Sequence, residues 1–193
     1  MANLESAFSA SSDAFQANRA GLLDLLKRVR ACERRAMAAS ESSRSRFEKR
    51  GQLLPRERVA LLLDPGAPFL ELCALAGLGL DNPDLEASVP DGGVICGIGF
   101  VSGIRCMISA SDSGIDAGAM QPMGIDKQSR VQELALENKL PFVQLVESAG
   151  ANLMKYQVEG FVPGGGLFRN LARLSGAGLP VITTAANGFS ENM

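Results

Sequence analysis

The feature that most constrains the fold is a hydrophobic period that changes repeatedly in the second half of the chain. Residues 125–138 carry apolar side chains at the three-and-four spacing of a helix, and residues 142–146 are an apolar run of strand length. A second helical pattern covers residues 167–175, and a second apolar strand covers residues 180–185. Helices that alternate with short buried strands predict an α/β fold, with binding sites in loops at the carboxyl ends of the strands.

The N-terminal third predicts helices. Leu22, Leu25 and Val29 have amphipathic spacing, and this helix continues to about residue 39. A short second helix is predicted to begin near Pro55 and to end at the break formed by residues 64–66, an Asp-Pro-Gly sequence. We therefore expect residues 1–66 to form a helical arm, packed on a separate core made by residues 67–193.

An antiparallel hairpin is predicted between these regions. Apolar residues alternate through residues 94–100, and a second strand follows the turn residues Ser102 and Gly103. Gly97 and Gly99 lie on one face of the first strand, so another part of the chain is expected to pack closely against it.

Composition excludes several kinds of chemistry. The 193 residues include no histidine, which rules out a Ser-His-Asp triad, a zinc site with histidine ligands and a histidine base. The four cysteines form no CxxC pair, and Cys96 and Cys106 are predicted to be small buried hydrophobes. Asp112, Asp116 and Asp126 do not have calcium-loop spacing, so no metal is expected.

Hydropathy and charge predict a cytoplasmic protein with no membrane contact. The N-terminus has no apolar segment typical of a secretory signal, and the longest uncharged runs are broken by polar and turn residues. Residues 27–58 hold eleven of the nineteen cationic residues. This stretch is either a solvated helix face or a surface for an anion such as coenzyme A. It matches no nucleic-acid-binding motif, and we expect no nucleic acid partner.

The turn at residues 148–152, with the sequence Ser-Ala-Gly-Ala-Asn, is the most informative candidate site. Small residues after a buried strand let the backbone approach a ligand, and two backbone N–H groups can stabilise an oxyanion without a titratable side chain. An ordinary tight connection is the alternative. The glycines at 164–166 precede a helix but match no phosphate-binding fingerprint, and they are interpreted as a turn or lid.

Read in order, these segments resemble the carboxyltransferase (β) subunits of biotin-dependent acyl-CoA carboxylases. Residues 49–59 (KRGQLLPRERV) and 62–71 look like the N-terminal signature of that family, and Asp91-Gly92-Gly93 and the hairpin follow in the same order. Glu147-Ser148-Ala149-Gly150-Ala151 then parallels the family's Asp-Ser-Gly-Gly-Ala loop. The resemblance covers residues 25–186 and is closest to the branch that acts on methylcrotonyl-, geranyl- and related acyl-CoA substrates.

The resemblance implies a crotonase-like ββα superhelix that binds acyl-CoA. Family members move a carboxyl group from carboxybiotin, carried on a separate protein or domain, to the α or vinylogous carbon of a short or branched acyl-CoA. Backbone N–H groups of Gly150 and Ala151 are then candidates for the oxyanion hole. Lys127, Arg50, Arg56 and Ser148 are candidates for coenzyme A contacts or for local structure. Implied partners are a biotin carboxylase or biotin carrier subunit and further copies of the full-length subunit.

The chain also departs from the family pattern. Glu147, Ala149 and Asn152 stand where Asp, Gly and Arg are usual, and the family's second glycine loop and carboxybiotin-facing half are absent from this sequence. We therefore expect an incomplete N-terminal half domain that is an inactive fragment alone. The alternatives are a non-catalytic coenzyme A-binding or assembly module, and a small crotonase-like hydrolase or isomerase that uses Glu147 or Glu159 as a base.

Overall fold

Three helices precede the sheet in the structure, a computed structural model that describes residues 9–80, 82–151 and 165–185. They are α1 (Asp13–Glu41), α2 (Arg44–Glu48) and α3 (Pro55–Leu62). The two predicted helices are confirmed, although α1 begins well before its apolar stripe because the Ser12 side chain accepts the Phe15 N–H at 3.2 Å and caps it. Pro55 occupies the first turn of α3.

A mixed five-stranded sheet forms the centre of the fold. The strands of the chain are β1 (Leu70–Glu71), β2 (Val94–Val101), β3 (Ile104–Ser111), β4 (Ala119–Met120), β5 (Phe142–Val146), β6 (Gly150–Ala151) and β7 (Val181–Ala185). The central sheet has the order β1-β2-β3-β5-β7, with antiparallel pairing from β1 to β3 and parallel pairing from β3 to β7. The predicted hairpin and both predicted apolar strands are confirmed.

Two helices connect the parallel strands. α4 (Pro122–Glu137) lies between β3 and β5, and α5 (Gly166–Gly176) precedes β7. The two helices contact each other, and α4 also packs on β2 and β3. Because parallel strands need a crossover, this helix layer follows from the strand order, and it covers one face of the sheet.

The sheet separates two clusters of buried apolar side chains. One face, under α4 and α5, contains Val94, Cys96, Met107, Val131, Ala135, Leu140, Phe142 and Leu174. The other contains Val59, Ile95, Cys106, Ile108, Ala110 and Val143. Alternate residues of β2 therefore enter different clusters, as the period of two requires. Val59 shows that α3 contributes to the same core as the sheet; the boundary at residue 66 stays a prediction.

The close packing expected at the β2 glycines is confirmed. A Cβ atom added to Gly97 would overlap the ring of Phe69 and lie only 2.6 Å from the Leu70 carbonyl oxygen. A Cβ atom at Gly99 would overlap the side chain of Leu63. The residues between α3 and β1 can therefore cross this face of β2 only because β2 has no side chain at these two positions.

All four cysteines are free thiols, at three levels of exposure. Cys96 and Cys106 are buried as predicted, Cys32 is half-buried and Cys73 is exposed. Burial raises the pKa of the Cys96 thiol to about 12. Across the described part of the chain, no helix combines the length and the apolar character that crossing a bilayer requires.

Candidate functional site

The loop after β5 is joined to a second loop by a short parallel ladder. β6 pairs with β4, so that Gly150 lies opposite Ala119 and Ala151 lies opposite Met120. The Ala149 N–H also donates to the Gly118 carbonyl at 3.0 Å. The segment at residues 148–151, predicted as a simple turn, is therefore held by hydrogen-bonded backbone that lies 31 residues earlier in the chain.

Ser148 organises the backbone of this loop. Its Oγ accepts the N–H of Gly150 at 3.0 Å and donates to the Gly118 carbonyl at 3.4 Å. Gly150 has a φ of +88°, whereas Ala149 is not among the residues with positive φ. Glycine is therefore needed at position 150 and not at 149, which explains how the loop accepts Ala149. The geometry gives Ser148 a local structural role.

A cavity of about 210 Å³ lies beside this loop, between α4, α5 and the sheet. Ser148, Gly118 and Ala119 line it, and so do apolar side chains from three elements: Val94, Val146, Leu167, Phe168 and Leu171. The cavity is therefore mainly apolar and has an exposed backbone loop at its edge, which is the usual composition of a small-molecule site.

Three glutamines add polar groups to the cavity. Gln128 and Gln132 come from one face of α4, and Gln144 comes from the middle of β5. The Gln144 Oε1 accepts the Thr183 hydroxyl at 3.2 Å. Gln132 is only 1% exposed, and neither its Oε1 nor its Nε2 has a hydrogen-bond partner among the residues that the structure describes. Sequence reasoning missed these residues; the available signal was a polar residue within an apolar strand or beside the apolar stripe of a helix.

Lys127 lies away from this cavity and inside the protein. Its ammonium group forms an ion pair with the Asp91 carboxylate and donates to the Asp91 carbonyl oxygen at 3.2 Å, and both side chains are fully buried. A cation in this position has no access to a phosphate in solvent. The geometry favours local structure over coenzyme A binding for Lys127.

Arg56 belongs to the same buried group of charges. It makes two parallel hydrogen bonds of 2.9 Å to the Glu71 carboxylate and lies 3.6 Å from the Asp91 carboxylate. Burial opposes its charge, but the hydrogen bonds with Glu71 leave the pKa of Arg56 raised. Arg50, by contrast, is exposed in the turn after α2. Arg50, Arg56 and Lys127 do not line the cavity.

Two buried carboxyl groups near this cluster have raised pKa values. Burial raises the pKa of Asp91 to about 6, although the charge and hydrogen bond of Lys127 lower it. Burial also raises the pKa of Asp112, whose Oδ1 accepts the Ser40 hydroxyl at 2.6 Å. In the described ranges, no group of three acidic, cysteine or histidine side chains is arranged to hold a metal ion.

Glu147 is held from two sides. It forms an ion pair with Arg58 of α3 and accepts the Ser113 hydroxyl at 2.6 Å. A Cβ atom at Gly118 would lie 3.1 Å from the Glu147 carbonyl oxygen, so the turn before β4 packs tightly on this residue. A carboxylate used in this way anchors the start of the Ser148 loop, and the geometry does not favour its use as a free base. Asn152, Glu159 and Gly164 lie outside the described residues.

Comparisons with known proteins identify related sequences and structures. Residues 46–187 match the family model described as a carboxyl transferase domain. A probable biotin-dependent acyl-coenzyme A carboxylase β2 subunit from Mycobacterium tuberculosis is 47% identical over 137 residues, which are 71% of this chain and 25% of that protein. A biotin-dependent 3-methylcrotonyl-coenzyme A carboxylase β1 subunit from the same organism is 45% identical over 150 residues, which are 76% of this chain and 27% of that protein.

The structural comparison agrees with the sequence comparison. The crystal structure of the β subunit of geranyl-CoA carboxylase from P. aeruginosa superposes with a TM-score of 0.85 and 47% identity, over 93% of this chain and 33% of that one. The crotonase-like α/β fold predicted from the sequence is confirmed by this likeness. The chain spans about a quarter to a third of the length of the relatives that it matches.

Proposed function

The chain belongs to the carboxyl transferase domain family, and on that premise we propose that it provides the acyl-CoA half of a biotin-dependent carboxylation site. The reaction would transfer a carboxyl group from carboxybiotin to the α or vinylogous carbon of a short or branched acyl-CoA. The observation that carries the proposal is the apolar cavity that is lined by Ser148 and by Ala119, the ladder partner of Gly150.

Each part of this site has a proposed task. The apolar walls hold the acyl group and exclude water, and the backbone N–H groups of Gly150 and Ala151 receive the thioester oxygen. When the substrate carbon loses its proton, negative charge develops on that oxygen, and fixed N–H donors stabilise the charge without a titratable side chain. The absence of histidine from the sequence is compatible with this mechanism.

In the described geometry the Gly150 N–H already donates to Ser148 Oγ. We propose that the Ser148 hydroxyl turns away, or shares the donor, when a thioester binds. Carboxybiotin supplies the carboxyl group when it is bound, and no residue of this chain is assigned to it. Arg50 remains a candidate for the coenzyme A phosphates because it is exposed.

The substrate branch, the partners and the inactivity of the isolated chain are parts of the proposal. Similarity to proteins named for 3-methylcrotonyl- and geranyl-CoA supports a branched or terpenoid-like acyl group. A separate biotin carboxylase or biotin carrier subunit and further copies of the complete subunit are the proposed partners, and the cytoplasm is the proposed location. Inactivity is proposed because the part of the chain that matches its relatives covers only about a quarter to a third of their length; turnover at a normal family rate would contradict it.

The proposal is tested by asking whether binding depends on the thioester oxygen. Wild-type chain is titrated calorimetrically with 3-methylcrotonyl-CoA and with the matching thioether, which lacks the carbonyl oxygen. We expect the thioester to bind roughly tenfold more tightly, as one added hydrogen bond predicts. Equal affinities would contradict the oxyanion-hole assignment, and no binding of either ligand would contradict the proposed function.

Two variants assign the effect to the backbone donor. Gly150→Pro removes one of the two N–H donors and should weaken the thioester preference; in a complete subunit, loss of one such donor lowers turnover by about two to three orders of magnitude. Because proline cannot adopt a φ of +88°, folding is checked by circular dichroism. Ser148→Ala is the matched variant: it removes the competing acceptor, keeps the N–H and should preserve or increase the preference.

A further inference from the structure

The side-chain amide of Gln132 is a buried polar group that the fold itself does not use. Gln132 is 1% exposed, and within residues 9–80, 82–151 and 165–185 no group forms a hydrogen bond with its Oε1 or its Nε2. It lines the cavity together with Gln128 and Gly124, which lie four and eight residues earlier on the same face of α4. A buried amide that the protein leaves without a partner destabilises the folded chain unless a molecule in the cavity pairs with it.

The residues around Gln132 are apolar, so an apolar side chain at position 132 would make the unliganded protein more stable. Its helix neighbours Val131 and Ala135 are fully buried in the core beneath α4. Gln144, the other buried glutamine that lines the cavity, differs from Gln132 because its side-chain Oε1 accepts a hydrogen bond from the Thr183 hydroxyl. The missing partner of Gln132 is therefore expected to arrive with whatever fills the cavity.

We propose that Gln132 selects the ligand: its amide binds an oxygen substituent, a hydroxyl or carbonyl, on the acyl group that occupies the cavity. A hydroxyl group suits both unpaired atoms, because it can donate to Oε1 and accept from Nε2. This inference rests on the proposed function for the identity of the thioester. The buried end of the cavity is assigned to the acyl group because the coenzyme A moiety must extend from the exposed Ser148 loop towards solvent.

The first test measures the unliganded chain by thermal unfolding. Gln132→Met keeps the length of the side chain and removes the unpaired amide, so the melting temperature should rise by about 4 °C. Gln144→Met is the matched control in the same cavity, and it should lower the melting temperature because the Thr183 hydroxyl loses its acceptor. A fall for Gln132→Met would overturn the proposal, since it would mean that the amide has a partner in the folded chain.

The second test measures selectivity with two pairs of ligands. The thioester pair is 3-hydroxybutyryl-CoA and butyryl-CoA, and the small pair is 3-methyl-2-buten-1-ol and 2-methyl-2-butene. In each pair we expect the oxygen-bearing ligand to bind the wild-type chain roughly tenfold more tightly, and the difference to disappear in Gln132→Met. Gln52→Met, which removes another amide with an unpaired buried oxygen but does not line the cavity, should leave the difference unchanged.

The small ligands separate this inference from the proposed function. The side-chain amide signals of ¹⁵N-labelled Gln132 should shift when the alcohol is added and not when the hydrocarbon is added. If no CoA thioester binds but the alcohol shifts these signals, the proposed function fails and the role of Gln132 stands. If the signals respond to neither ligand, or show only a bound water, the proposal is overturned.

Discussion

Lys127 and Asp91 form an ion pair in which both side chains are completely shielded from solvent. Asp91 adopts a φ of +101°, an uncommon value for a residue with a side chain, and the ion pair is one of the contacts that hold it there. The pair joins α4 to the loop before β2, 36 residues away in the sequence. The connection joins two parts of the chain that also line the cavity, through Gly93 and Gln128.

Lys127→Met should destabilise the chain strongly. Removing the ammonium group leaves the buried Asp91 carboxylate with only Arg56, 3.6 Å away, as a cationic neighbour, and loss of one partner of a buried pair costs about 3–5 kcal/mol of unfolding free energy. Arg130→Met is the control on the same helix, because Arg130 is half exposed and its ion pairs with Glu133 and Glu137 contribute about 0.5 kcal/mol or less. Urea unfolding measures both. Similar losses for the two substitutions would contradict the burial of the Lys127–Asp91 pair. Adding Asp91→Asn to the Lys127→Met variant should restore part of the lost unfolding free energy.

The same substitution should have opposite effects at two glycines. Gly97→Ala places a methyl group against the Phe69 ring and 2.6 Å from a backbone oxygen, so we expect a loss of about 3 kcal/mol. Gly21→Ala lies within α1 with open space around the new methyl group, and should gain about 1 kcal/mol from helix propensity. Thermal unfolding compares the two. A neutral Gly97→Ala would mean that the segment between α3 and β1 does not cross β2 this closely.

Asp112→Asn should stabilise the chain increasingly as the pH rises. The folded pKa of Asp112 is raised above its usual 3.8, so the folded state holds its proton more tightly than the unfolded state. The protonated Asp112 carboxyl therefore stabilises the folded state below about pH 4. This stabilisation is lost as the pH rises through the pKa of Asp112 in the folded state. Asparagine avoids this loss and keeps the Oδ1 that accepts the Ser40 hydroxyl.

We expect the variant to exceed the wild type by about 1 kcal/mol at pH 7.5 and by much less at pH 4.5. Urea unfolding at the two pH values measures the difference. Asp126→Asn, on the exposed side of α4, is the control and should show no such trend. A variant that loses stability relative to the wild type as the pH rises would show that Asp112 is stabilised as the anion.

Glu147→Gln tests the alternative that the chain is a hydrolase or isomerase. Glutamine can still accept the Ser113 hydroxyl but no longer neutralises Arg58, so we expect a loss of about 1–3 kcal/mol in stability. Thioester affinity should change less than twofold. If the wild-type chain hydrolyses acyl-CoA and Glu147→Gln abolishes that activity while Glu137→Gln does not, Glu147 acts as a base and our assignment is wrong.

Sequence periodicity predicted the long elements because their apolar faces repeat. The hairpin, the apolar strands, α1 and α4 all have enough residues to show a period of two or of about 3.6. β4 and β6 have two residues each, which is too short for any period, and their pairing depends on a contact between residues 31 positions apart. The Ser148 segment was therefore predicted as a turn, although part of it forms a ladder.

The site could be predicted only in part, for a related reason. The small residues at 148–151 indicated a backbone loop, but not that the Gly150 N–H is already bound to Ser148. Lys127 is a charged residue on an amphipathic helix, where exposure is the usual outcome; only the buried Asp91 opposite makes the interior possible. Gln132 shows in the sequence only as a polar residue beside the apolar stripe of α4, and that pattern does not reveal that its amide has no hydrogen-bond partner among the described residues.

Because the four thiols differ in exposure, their rates of alkylation can report on local opening of the fold. At neutral pH an alkylating reagent should modify Cys73 first, while Cys96 reacts only when β2 separates from α4. Pulsed alkylation followed by mass spectrometry would then count the molecules in which the sheet has opened, without an added dye or tag. Ligands that fill the cavity beneath α4 and stabilise the closed sheet would be detected as slower modification of a single cysteine.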